Sequence, residues 1–213
     1  MTESQFQPHR RFRIVPAMPL DTLAHSAFIG AAYHLGRIKK LASSPCMQTM
    51  WKDDDSLENA TKKRLQADVD QFHWHVRAFF WELVASFDTM LQWVNQRFEL
   101  SVPEDKVRWS TIHEKAAEAR KDQAEWNKKH ALLESAWDSA WYYEIRQYRN
   151  FAHRAFIFVN AEYNGNYGKN KPTLKKVWLT PAREGQQEYV DIVLHLLNYL
   201  EEISQLGEKI FRQ

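Results

Sequence analysis

Arg146, Arg149, Asn150 and His153 fall within one stretch, Trp137 to Val159 (WDSAWYYEIRQYRNFAHRAFIFV), at separations of three and four residues. At about 100° per residue, an α-helix over this stretch gathers Trp137, Trp141, Ile145, Tyr148, Ala152, Ala155 and Val159 on one side and Arg146, Asn150 and His153 on the other, with Arg149 at the edge. Such spacing lets the four polar side chains converge on one small target. Two guanidinium groups, a carboxamide and an imidazole, flanked by Tyr142 and Tyr143, suit a phosphodiester. Arginine holds phosphate by charge and fork geometry, and an imidazole with a pKa of about 6.5 gives or takes a proton at neutral pH. An ordinary solvated helix face mixes Glu, Lys and Gln instead.

The helices that must position this stripe are legible from periodicity. Asp21 is the expected N-cap of a first helix that runs to about residue 42, with Leu23, Phe28, Ala31, Ala32, Leu35 and Leu41 as its apolar side. Gly30 and Gly36 weaken that helix intrinsically and could admit a close neighbour. Residues Pro45 to Asp55 read as a connection, whose Asp53-Asp54-Asp55 run suits a helix start. Leu65, Val69, Phe72, Val76, Phe79, Leu83, Phe87, Met90, Val94 and Phe98 then recur in steps of three or four, the pattern of a long bundle helix ending before Pro103. Trp74, Trp81, Asp88 and Asn95 form a second stripe at intervals of seven, available to a neighbouring helix or another subunit.

Thr111 to His130 is helical by propensity but strongly charged, with Ile112, the alanines and Trp126 to bury, and reads as a poorly buried helix or a projection. After the motif helix, residues 163–168 are expected to form a loop by their Asn and Gly content. Lys169, Lys171, Lys175 and Lys176 follow as a basic cluster able to steer phosphate, and Val177-Trp178-Leu179 suggests an extended piece or hairpin near 174–180. A last helix over about 186–211 closes the bundle with Tyr189, Val193, Leu196, Leu197, Leu200, Ile203, Leu206 and Ile210.

The expected fold is therefore all-α, an elongated antiparallel bundle of about four or five helices in one domain over 20–213, preceded by an arm over 1–19. Only six glycines and seven prolines in 213 residues agree with long helices. A net charge of +2 means that any anion-binding role rests on local clusters. The single cysteine, Cys46, rules out an internal disulfide and a cysteine metal site, and fits a reducing compartment. With no signal-like start and no run near the roughly 18 apolar residues of a membrane span, the expected location is the cytoplasm.

Metal chemistry finds no motif in the sequence. His73 and His75 lie about 200° apart on a helix and cannot share an ion, and His113-Glu114 belongs to no HExxH pair because position 117 is alanine. No metal or other cofactor is expected.

The segment RQYRNFAH, Arg146 through His153, resembles the arginine–spacer–histidine motif of the HEPN superfamily, the higher-eukaryote and prokaryote nucleotide-binding helical domains. The order of a long aromatic-rich helix, a motif helix and a closing helix resembles it over about residues 57–212. That resemblance implies a helical bundle working as a homodimer, with motif helices of two subunits forming a composite cleft that cuts RNA without metal. It also implies His153 as general acid or base, Arg146 as stabiliser of the phosphorane-like charge and Asn150 as an orienting group, with Arg149 an alternative to Arg146 at a shorter spacing. Members act as toxins or in phage defence, and others keep the fold only to bind nucleotide, RNA or a protein partner.

Overall fold

Helical order follows the apolar periodicity closely. A computed structural model describes residues 19–44, 59–116, 123–154, 159–164, 173–179 and 190–212. The arm over 1–18, the Pro45–Asp55 connection with its aspartates, Lys169, Lys171 and Tyr189 lie outside the described residues, as do the side chains of His153, Lys175 and Lys176. The helices are α1 (Leu20–Ala42), α2 (Asn59–Arg97), α3 (Trp109–Glu114), α4 (Gln123–Trp137), α5 (Ala140–Arg154) and α6 (Ile192–Phe211), with a 3-10 turn at Glu104–Lys106. Three short strands, β1 (Val159–Asn164), β2 (Thr173–Leu179) and β3 (Val190–Asp191), form an antiparallel sheet in the order β1-β2-β3 between α5 and α6. The extended piece expected near 174–180 is thus the central strand of a small sheet on an otherwise all-α bundle.

Side-chain pairings give the directions. Gly30 meets Glu82 and His34 meets His75, so α1 and α2 run antiparallel. Phe80 stacks on Tyr148 and Phe87 on Tyr142, so α5 opposes α2 as well. Phe80 reaches Tyr199 and Trp93 reaches Phe211, which makes α6 parallel to α2. Lys129 of α4 lies against the C-terminal end of α6. The result is an up-down-up-down bundle whose third rod is broken into α4 and α5.

The core is one contiguous cluster. On α2, Phe72, Val76, Phe79, Leu83, Phe87, Met90 and Val94 are buried at the expected positions, joined by Ile145 and Tyr148 of α5 and Leu196, Ile203 and Ile210 of α6. These apolar faces exclude water along the whole bundle, the dominant favourable term in folding. Several local expectations are corrected. Asp21 is inside the first turn and Pro19 holds the N-cap position without a side-chain bond. Leu23 points outward, whereas Ala24 and Ile38 are buried. The 111–130 segment is not a projecting helix: α4 packs into the bundle with Trp126 only 1% exposed, its indole N–H donating to the Ala116 carbonyl at 2.8 Å. The last helix begins at Ile192, not near 186, because Asp191 caps it by accepting from the Leu194 N–H at 3.1 Å.

Helix ends are closed by side chains. Lys129, buried, donates to the carbonyls of Lys209 (2.9 Å) and Arg212 (2.6 Å), satisfying acceptors at the α6 terminus. Beyond α2, Glu99 and Ser101 take left-handed backbone angles, φ 55° and 58°. Asn95 holds that turn by bonding both the N–H and the carbonyl of Val102, so the last member of the four-residue stripe is a structural clamp. Trp74 and Trp81 of the same stripe are exposed. Of the two α1 glycines, Gly30 lies against the end of the Glu82 side chain, while Gly36 has open space where a Cβ would stand.

Two histidines tie α1 to α2. His34 and His75 are buried with their Nδ1 atoms 2.8 Å apart, so one ring donates and the other accepts. Burial holds the pKa of His34 below the usual imidazole value; His75 is lowered by burial, then by His34 and Arg37. Because the folded values lie below the unfolded value of about 6.5, the unfolded chain takes up protons first on acidification, and the pair's contribution is complete above about pH 6.5 and lost below it. Wild type is therefore expected to lose more stability between about pH 7.5 and 5.5 than the His34→Leu/His75→Leu double variant, measured by urea unfolding at each pH. Parallel pH curves for the two proteins would remove the pair as the cause.

Candidate functional site

The motif stretch is not one helix. Asp138 and Ser139 interrupt it: the Ser139 hydroxyl donates to the Ala136 carbonyl at 2.6 Å and accepts from the Tyr142 N–H at 3.2 Å, capping α5 at its start. Val159 is already in β1. Within α5, Ile145, Tyr148 and Ala152 are buried as expected, and Trp141 packs against the core edge.

Arg146 does not reach along the stripe. Its guanidinium lies 3.7 Å from the centre of the Trp137 ring and donates to the Trp137 carbonyl at 3.1 Å, back across the α4–α5 break. Tyr142 and Tyr143 stand farther off on the same cation, at 5.4 and 5.8 Å. Burial lowers the Arg146 pKa, opposed by Tyr142, Tyr143 and Asp138, and the group remains a cation at neutral pH. The expected convergence of four side chains is thus corrected: Arg146 splices two helices. Its interhelical role depends on Trp137 approaching from α4, which linear spacing does not encode.

Tyr142, expected beside a phosphate, is in the core at 1% exposure, stacked on Phe87 with ring centres 4.2 Å apart. Burial raises its phenol pKa well above the ordinary value, with Asp88 adding and Arg146 and Arg149 opposing. Tyr143 is half-buried near Arg146. Asn150 is exposed, and its Oδ1 accepts from Arg149 at 3.3 Å. Asp88 of α2 keeps an exposed edge, and its carboxyl pKa is raised by surrounding protein and pulled back by Arg149. Arg149 is half-buried on α5, between the buried Tyr148 and the exposed Asn150. His153 occupies the last turn of the same helix, four residues beyond Arg149.

A second polar cluster on α5 escapes the sequence reading. Tyr199 of α6, 2% exposed, donates to Glu144 at 2.5 Å, and His195 lies 2.5 Å from the same phenol oxygen and 3.5 Å from Glu144. Burial and the Glu144 bond push the Tyr199 pKa far up, so the phenol stays protonated and the cluster acts as an interhelical lock. The only advance signal was His195 and Tyr199 at i, i+4. A cavity of about 520 Å³ between α1, α2 and α6, lined by Asp21, His25, Phe28, Ser86, Met90 and Phe211 among others, contains none of the stripe residues. It does not belong to the Arg149–Asn150 surface.

Set against protein-family models, curated proteins and solved structures, the chain matches none of them. Fold and site together define a four-rod helical bundle with a small sheet at one end, where α5 carries a half-buried Arg149 bonded to an exposed Asn150. Among the described residues no helix is long and apolar enough to cross a membrane.

Proposed function

We propose that this chain is a HEPN-like helical module that binds RNA through the phosphate contacts of Arg149 and Asn150 and acts as a homodimer. The observation that carries this reading is the Arg149–Asn150 pair at the α5 surface, one turn before His153, while Arg146 is committed to Trp137. A guanidinium and a carboxamide side by side supply charge and directed donors to a phosphodiester. The lysine group at 169, 171, 175 and 176 follows the motif helix in sequence and adds a second local concentration of positive charge.

Metal-independent ribonuclease activity, in a toxin or phage-defence setting, is the second reading. It is favoured by Arg149 and His153 standing at i, i+4 in one helix, so that His153 would move the 2′-hydroxyl or leaving-group proton and Arg149, in place of Arg146, would stabilise the developing charge. Both readings are tested on a mixed RNA pool in excess EDTA with wild type, Arg149→Ala, Asn150→Ala and His153→Ala at matched fold and oligomeric state. Binding is expected to weaken in Arg149→Ala across all sequences, and the slope of log K against log salt to shrink by about 1. Cleavage by wild type that His153→Ala loses would establish the nuclease; absence of any RNA binding by wild type at low salt would overturn both.

A further inference from the structure

His113, His130 and Glu134 converge although no sequence motif joins them. His130 and Glu134 are one turn apart on α4, and His113 comes from α3. His113 Nδ1 is 3.1 Å from His130 Nε2 and 3.7 Å from a Glu134 carboxylate oxygen, and one donor atom from each residue lies within 4.8 Å of the other two. Around a tetrahedral zinc ion with metal–nitrogen distances near 2.0–2.1 Å, neighbouring donor atoms stand about 3.3 Å apart. The two separations from His113 bracket that edge, and the third, between His130 and Glu134, is within 4.8 Å.

The imidazoles are also held in place. Trp109, largely buried, stacks on His130 with ring centres 5.4 Å apart and lies 5.2 Å from His113; Trp126 flanks His130 at 5.3 Å. Trp109 is stacked in turn on Trp137, the ring that carries Arg146. The side chains of His113 and Glu134 are half exposed, at 50% and 46%, so the mouth of the cluster opens to solvent. Rigid aromatic walls behind the imidazoles limit the ordering needed on binding, and an open front admits both ion and water.

We propose that His113, His130 and Glu134 form a binding site for one first-row transition-metal dication, of which zinc is the probe ion, with water at the remaining coordination position. Two imidazoles and one carboxylate suit borderline ions such as zinc or cobalt and disfavour magnesium and calcium, which require oxygen donors. Three protein ligands with a solvent-facing fourth position is the arrangement of an open site and not of a closed structural one. Binding displaces the proton shared between the facing nitrogens, which passes through water to the outer nitrogen of the ring that held it so that both ligands stay neutral imidazoles, and it fastens α3 to α4. The site is separate from the Arg149–Asn150 surface, so RNA binding in EDTA neither requires nor excludes it.

The test is calorimetric titration of the metal-stripped full chain with zinc chloride, repeated with magnesium chloride, for wild type, His113→Ala and Glu134→Gln, alongside visible absorption of the cobalt-loaded protein. Wild type is expected to take up one zinc ion per chain at micromolar concentration or tighter and to ignore magnesium, and its cobalt form to show the d–d bands of a nitrogen/oxygen site. Each variant is expected to bind zinc at least about a hundredfold more weakly and to lose the zinc-dependent rise in thermal midpoint. Because both altered side chains are half exposed, their metal-free midpoints should match wild type, and either variant alone suffices if the other misfolds. No saturable zinc uptake by wild type, or uptake unchanged in a folded variant, overturns the site.

Discussion

Replacing Arg146 by alanine is expected to destabilise the protein by about 2–3 kcal/mol, from loss of a charge-assisted bond to a backbone carbonyl and of a close cation–π contact. The geometry behind this is the guanidinium 3.7 Å over Trp137 and bonded to its carbonyl at 3.1 Å, at the point where α4 ends and α5 begins. Alanine leaves that carbonyl without its partner and removes a side chain that bridges the break. Arg146→Lys should recover little, because an ammonium keeps the charge but lacks the plane that stacks on indole. Urea unfolding of wild type and both variants measures the effect. A loss below about 0.5 kcal/mol, within the range of an ordinary surface substitution, would return Arg146 to the role implied by the RQYRNFAH resemblance. In that case its alanine variant would be stable but defective toward RNA.

Phe87→Ala is expected to cost more, about 3–5 kcal/mol, the usual range for emptying a fully buried aromatic position. Phe87 has no exposed surface, stacks on Tyr142 of α5 and stands 6.1 Å from Trp137 of α4. Its ring therefore touches both halves of the broken rod, and the cavity left by alanine would open beneath the Arg146 splice. The urea midpoint should fall with an unchanged slope if the fold is otherwise kept. A loss under about 1.5 kcal/mol would mean that the surrounding side chains collapse into the space, contrary to a close-packed α2–α5 interface.

These two sites show how far the amino-acid order reaches. The heptad-like recurrence from Val69 to Val94 determined α2 and its buried face almost residue for residue, because burial of one helical stripe is a local, periodic demand that any sequence must state in full. The last helix was legible for the same reason, from Leu196 to Ile210. The break at Asp138-Ser139 was written there as well, as a helix-capping pair, but the apolar rhythm running through it hid the signal.

Contacts between helices were decided by tertiary structure. Arg146 is on the polar side of α5 by phase, yet Trp137 and the carbonyl at the end of α4 draw its head away from Asn150. Tyr142 flanks the stripe in sequence, yet Phe87 on α2 takes it into the core. His113 fits no motif with its own neighbours, but the turn after α2 and the antiparallel packing of α4 on α6 bring it to His130 and Glu134. Periodicity specifies which side of a helix is buried. Which groups meet on the other sides depends on the order, direction and breaks of the rods, information that exists only once the core has formed.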